Sequence, residues 1–199
     1  MPSHAGHPAR PGDAAHAILS KEEVGAILGQ PVTSVEGAAT DMAYKTAVIG
    51  LETVIGLESQ DDSALAITGA RKATGMLGGT PEDVPNLGDE AFFGAMSILY
   101  VRKGDTMITI TPPNLQLVAA SAAYGKVTDA KTGPEQAKAM QDFILLEKSD
   151  PTTAGLKKAD AMQGALATVA ASSKKQGTVY ETQARDMSLA LAAKVLTKL

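Results

Sequence analysis

This sequence has no cysteine and no tryptophan, and its three histidines, His4, His7 and His16, all precede Ala17. Without cysteine there are no disulfides, no thiolate nucleophiles and no cysteine-ligated metals. Without histidine beyond residue 16, Ser-His-Asp and Cys-His catalysis are excluded from the body of the chain, and most zinc and haem ligation with them. His4 and His7 form an H-x-x-H pair, but two ligands on a flexible segment without a structured third bind a metal only weakly. No metal site is therefore expected, and no cofactor. No run approaches the roughly 20 apolar residues of a membrane span. The start lacks the basic-then-apolar signature of a signal peptide. The net charge of −4 argues against a nucleic-acid partner, which needs a concentrated basic surface.

What is present describes a globular chain of 199 residues, 44% apolar, long enough to bury a full core. Aromatics make up only 4%, so that core is expected to rest on small side chains and adaptable methionines. Charge is uneven: residues 1–112 carry 7 basic and 14 acidic groups, residues 113–199 carry 11 and 8. The plain reading of the basic half is solvated helix faces. Residues 1–19, rich in Pro, Gly, Ala and His, read as a flexible leader, the remnant expected where an export signal or tether has been removed. Residues 20–199 read as a single α+β domain with a helical insertion at about 114–180.

The stretch Ser97–Thr111 is the most specific. If Gly104-Asp105 forms a two-residue turn with glycine first, Val101 faces Ile108 and Leu99 faces Ile110. The other face then pairs Tyr100 with Thr109 and Arg102 with Met107. Ser20-Lys21-Glu22-Glu23 reads as a capping box opening a short helix with Val24, Ile27 and Leu28 on one side and Gly29 as its stop. Tyr44–Ser59 alternates with period 2. A long strand bent at a glycine places Ala47, Ile49, Leu51, Ile55 and Leu57 on one face and Tyr44 on the other; a tight hairpin near Leu51–Thr53 fits as well. A helix capped by Asp61 or Asp62 should run through Ala66, Ala70, Ala73 and Leu77 to Gly78-Gly79. Residues 80–88 read as loop and Glu90–Met96 as a strand.

Past Pro112-Pro113 the pattern turns helical. Helices are expected at about Pro134–Leu146, Thr152–Ser173 and Tyr180–Leu199, the last with Ala184, Met187, Leu191, Val195 and Leu199 as its stripe. Residues 114–130 are ambiguous because of Gly125 and its β-branched neighbours. The architecture expected is an antiparallel sheet of about four to six strands, with the N-terminal and C-terminal helices on one face.

Candidate chemistry is sparse. Asp89-Glu90 is the most conspicuous acidic pair, but strand neighbours point to opposite faces and do not share a proton. Arg71-Lys72 beside the glycine-rich GMLGGT segment suits an anion, yet a solvated helix end is the plainer reading. No catalytic residue stands out. Tyr100, Arg102, Met107 and Thr109 share a sheet face that, if left open, forms one wall of a small-molecule or peptide site; Tyr44 is counted with them. Coverage of that face by the C-terminal helices is the plainer alternative.

The order of several motifs carries a resemblance. L-S-K-E-E-V-G-A-I-L-G-Q-P-V (Leu19–Val32) is followed by D-M-A-Y, N-L-G-D-E-A-F (Asn86–Phe92), L-Y-V-R-K-G-D-T and A-L-A-A-K-V-L. In this order they resemble small extracytoplasmic bacterial lipoproteins of unknown function, and the related sensor domains of some membrane-anchored bacterial kinases. The resemblance covers Ser20–Pro112 and Thr182–Leu199. It implies a single α+β domain with an antiparallel sheet, exported and held near a membrane, and transfers no catalytic residue. Met42 stands where those proteins often place a cysteine, so a family disulfide is not available, and residues 114–180 lie outside the usual pattern. The expected role is a non-enzymatic extracytoplasmic protein that binds a small or lipidic ligand or serves as an envelope accessory. The alternatives are an interaction module docking through its Ala- and Met-rich helices, with an envelope protein as the expected partner, and an enzyme working with Asp, Glu, Lys or Tyr alone. Met140, Met162 and Met187, one on each expected helix, bear on the choice. Met140 and Met162 exposed and adjacent favour docking, the same two lining a closed apolar cavity favour a ligand, and ordinary core packing of all three is the plainer reading.

Overall fold

Ser20 opens the first helix through a reciprocal cap: its hydroxyl accepts the Glu23 amide and the Glu23 carboxylate accepts the Ser20 amide. This helix, α1 (Lys21–Leu28), buries Val24 and Leu28 and ends at Gly29 in the left-handed conformation, as its sequence dictates. The structure, a computed structural model, describes residues 19–38, 40–59, 62–147 and 163–199. The three histidines fall outside the described residues. Leu19, assigned to the leader by composition, is buried, and its carbonyl accepts the Tyr44 hydroxyl at 3.1 Å.

Seven antiparallel strands follow: β1 (Val32–Ala38), β2 (Asp41–Thr46), β3 (Glu52–Ser59), β4 (Glu82–Asp83), β5 (Glu90–Phe93), β6 (Leu99–Lys103) and β7 (Thr106–Thr111). They form one sheet in the order β1-β2-β3-β7-β6-β5-β4. The fold class is α+β, with one strand more than the upper expectation. Two meanders meet at β3 and β7, and helix α2 (Ser63–Met76) carries the chain from β3 to the far edge. Asp62 caps α2 by accepting the Leu65 amide.

The β6–β7 hairpin has the register its turn chemistry predicts: Leu99 opposite Ile110, Tyr100 opposite Thr109, Val101 opposite Ile108 and Arg102 opposite Met107. Gly104 takes a φ of 55° at the first turn position. Cross-strand partners share a face, so the pairings sort the whole sheet. One face holds Met42, Tyr44, Thr53, Ile55, Leu57, Ile108, Ile110, Leu99, Val101 and Phe93, all buried. The buried Thr53 hydroxyl is satisfied by donating to the Thr111 carbonyl at 2.7 Å.

Of the two readings of Tyr44–Ser59, the hairpin is the one adopted, with its turn at Ala47–Leu51 rather than Leu51–Thr53. Tyr44 pairs with Thr53, so the loop reverses the parity of the strand and puts Tyr44 on the face of Ile55 and Leu57. Ile49, expected on the apolar face, lies in this turn and is exposed.

The remaining helices are α3 (Leu115–Asp129), α4 (Gly133–Glu147) and α5 (Gln163–Leu196). The ambiguous segment 114–130 is thus helical, capped by the Asn114 side chain, and Gly125 does not break it. Thr132 and Glu135 cap α4 reciprocally, with Pro134 in its first turn. The two last expected helices are one: α5 runs on through Gly177 without a stop. Met162, and the helix start expected at Thr152, lie outside the described residues. In the last turns of α5, Leu191, Ala192 and Val195 are buried, whereas Leu199 is exposed past the helix end.

The chain divides into two compact units. A sheet unit comprises residues up to Ala47, Glu52–Pro112 and Arg185–Leu199; a helical unit comprises Val48–Leu51 and Pro113–Ala184. In the helical unit α3 packs against α4, and the Asn114 amide donates to the Gly50 carbonyl at 2.9 Å. In the sheet unit, α1 and the end of α5 share one face of the sheet, joined by Lys198 to Glu23 at 2.9 Å. Helix α2 covers the other face.

Candidate functional site

The register brings Tyr100, Arg102, Met107 and Thr109 onto one face, as their alternation requires, with Gly56 beside Thr109 and Glu58 beside Met107. Tyr44 is not with them. It is buried on the opposite face with its hydroxyl tied to Leu19, which makes it a structural residue. Within the sheet unit, the roof over the Tyr100 face is α2, and the end of α5 lies on the opposite face, with Arg185 over Phe93. Ser63 donates to the Gly104 carbonyl at 2.8 Å, and a methyl group placed on Gly94 would lie 2.7 Å from Thr74 Oγ1 and 2.8 Å from the Tyr100 ring. Ile67 is fully buried beneath the helix. The buried positions of α2 are Ser63, Ile67 and Thr74; of the stripe expected through Ala66, Ala70, Ala73 and Leu77, the first two are half-buried and the last two exposed, since Ile67 is the large apolar side chain the helix has to bury.

Under this roof Phe92 stacks on Tyr100 with centroids 5.0 Å apart and an angle of 17°. The Arg71 guanidinium lies 4.4 Å from the Phe92 ring centre and reaches both Asp83, at 2.6 Å, and Glu90, at 2.9 Å. Arg71 is therefore a fixed packing element rather than a solvated helix end; its neighbour Lys72 is exposed. The sequence hint was available in E-A-F-F, whose adjacent phenylalanines must lie on opposite faces, each needing its own cover.

Arg102 is half-buried. Its Nη1 lies 3.7 Å from Asp89 Oδ2, and its enclosed Nε makes no hydrogen bond. Asp89 has a better partner: its Oδ2 accepts the Gly104 amide at 2.7 Å, clasping the hairpin turn, while Glu90 turns to Arg71. The conspicuous acidic pair thus splits between two structural tasks. Burial pushes the Tyr100 phenol above its ordinary value. Tyr44 is pushed up as well, by burial and then by the Glu23 charge. Among the described residues, no three His, Asp or Glu side chains gather as metal ligands, and no described helix is long and apolar enough to cross a membrane.

Four described carboxylates are held below their ordinary range: Asp89 by the Gly104 amide and then by the Lys103 and Arg102 charges, Glu23 by Lys198 and then by the Ser20 amide, Glu22 by Ser20, and Glu36 by Lys45. A folded-state value below the unfolded one gives stability that is present above the unfolded pKa and lost as pH falls through the folded one. The sheet unit should therefore lose stability on acidification below about pH 4. Chemical denaturation across that range should show a shallower acid slope in Asp89→Asn; an identical slope in the variant contradicts the assignment.

Large apolar side chains also stand exposed on the surface of the sheet unit. Met76 (81% exposed) and Leu77 (73%) end α2, and Met96 (77%) tips the short 3₁₀ turn Ala95–Ser97. The two loops adjoin: a methyl group on Gly79 would lie 3.7 Å from Ala95 Cα. Met96 and Ser97 both take left-handed φ values, 56° and 57°, rare for residues with side chains. Periodicity carried no signal for this, because strand alternation was read through to Met96.

No family model matches the sequence, and no curated protein and no solved structure is significantly similar to it.

Proposed function

We propose that this chain is a non-enzymatic extracytoplasmic accessory protein that works by docking onto a protein partner of the cell envelope. One observation carries this reading: Met76, Leu77 and Met96 are exposed large apolar side chains on two adjoining loops of the sheet unit. Exposed apolar groupings of this kind mark interaction surfaces. The envelope location rests on the resemblance of the ordered motifs to extracytoplasmic lipoproteins and sensor domains. Met140 is exposed and Met187 half-buried, and Met162 lies outside the described residues, so the methionine pair does not bear on the choice. A small or lipidic ligand held between α2 and the Tyr100, Arg102, Met107 and Thr109 face is the second reading; α2 already roofs that face, and what favours a ligand there is the enclosed Arg102 Nε, which makes no hydrogen bond.

Native mass spectrometry of the purified protein separates the two. Docking predicts the bare polypeptide mass, whereas an extra mass released on unfolding turns the assignment to a ligand. Protein carrying photo-methionine should then cross-link in an envelope extract through Met76 and Met96. The variant Met76→Gln/Leu77→Gln/Met96→Gln should lose those cross-links while its stability changes by less than about 1 kcal/mol, as exposed positions do. Cross-links that persist through other positions in this variant would sink the docking surface.

A further inference from the structure

We propose that the segment Gly78–Gly88 is a strap, latched by charge onto the edge of the sheet, that opens locally while the rest of the sheet unit stays folded. Its only regular structure is the two-residue strand β4, with Glu82 opposite Phe93 and Asp83 opposite Phe92, followed by the Val84 amide donating to the Ala91 carbonyl at 2.9 Å. Three residues along it, Gly78, Asn86 and Gly88, have left-handed φ values of 78°, 62° and 67°.

The latch has two halves, one on each face. Glu82 and Asp83, as neighbours in a strand, point to opposite sides. Asp83 meets Arg71 of α2, which is seated on the Phe92 ring. Glu82 meets Arg185 of α5, which is seated 4.1 Å over the Phe93 ring. Each acid of the strap is thus gripped by an arginine already stacked on the strand beneath. The arginines are largely enclosed and the two carboxylates mostly exposed, at 63% and 77% of their side chains, so the grip acts through solvent and weakens with salt.

Release does not undo the unit. Arg71 keeps Glu90, at 2.9 Å from its Nε, when Asp83 leaves, and Arg185 keeps the Phe93 ring. What the strap controls is access to the outer edge of β5, whose backbone groups would otherwise template an added strand. Met76, Leu77 and Met96 lie outside the strap, but its first residues touch that surface, since Gly79 lies against Ala95, so opening is read at Val84, away from this contact.

Amide exchange by NMR tests it. Raising sodium chloride from about 50 mM to about 500 mM shortens the screening length roughly threefold. The Val84 amide should then exchange faster by about fivefold, the scale of two partly exposed ion pairs, with the Ile108 amide of the central strand β7 unchanged. The double variant Glu82→Gln/Asp83→Asn should exchange fast at Val84 even in low salt and lose the salt response. A Val84 rate indifferent to salt in the wild type, or one that moves in step with Ile108, overturns the proposal.

Discussion

Replacing Phe92 by alanine should destabilise the sheet unit by about 3–5 kcal/mol, measured by urea or guanidinium unfolding. The ring is fully buried and carries contacts on two sides, with Tyr100 stacked on it and the Arg71 guanidinium over it. Its removal opens a cavity under α2 and leaves a half-buried guanidinium over empty space instead of an aromatic face. Phe92→Leu, which keeps much of the volume, should lose about half as much or less. A loss below about 1 kcal/mol for the alanine variant would show that the ring is not the pillar of this face.

Gly88→Ala should be nearly as damaging, for a backbone reason. Gly88 sits at φ 67°, and a methyl group there would lie 2.5 Å from the Arg102 carbonyl oxygen and 2.8 Å from Val101 Cγ1. That carbonyl also accepts the Asp89 amide at 2.8 Å, so it has no room to retreat without breaking the tie between the N-L-G-D segment and β6. The left-handed conformation alone costs a non-glycine residue about 1–2 kcal/mol, and the clash adds a similar amount. Gly104→Ala is the control. Its φ is 55°, yet a methyl group there meets nothing within 4 Å, so only the conformational part applies. Denaturation midpoints for the two variants should therefore differ by about 1–2 kcal/mol, the share owed to the Arg102 contact. Equal losses would remove that contact from the account.

These two positions show where a sequence reading reaches and where it stops. The β6–β7 hairpin was legible down to its register because a glycine-first turn and period-2 alternation are both local and agree with each other. The α1 cap was legible for the same reason: Ser20 and Glu23 satisfy one another within a single turn. Four of the candidate face residues were placed together correctly by alternation alone. Tyr44 was not, because its face depends on where the chain reverses between β2 and β3, and the glycines there allowed two answers. The roof over the Tyr100 face was invisible as well. It is fixed by Ile67, Ser63 and Arg71, whose partners lie far along the chain. β4 carries no sequence signal, because two exposed acids have no periodicity; what places it is long-range, the ladder to β5 and the ion pairs to Arg71 and Arg185.

The strand order bears on how the sheet comes together during synthesis. Within each meander every ladder joins strands adjacent in sequence, so β1–β3 and β4–β7 can each assemble from local contacts. The seam between β3 and β7 is different: Ile55 meets Ile110 and Leu57 meets Ile108 across the whole intervening chain. On a ribosome the first meander emerges before β7 exists. Until then the β3 edge, with the apolar Ile55 and Leu57 beside it, is open to any other extended chain. A strand interior to the finished sheet is thus the exposed margin of the nascent one, and the interval before β7 arrives is when aggregation threatens this protein most.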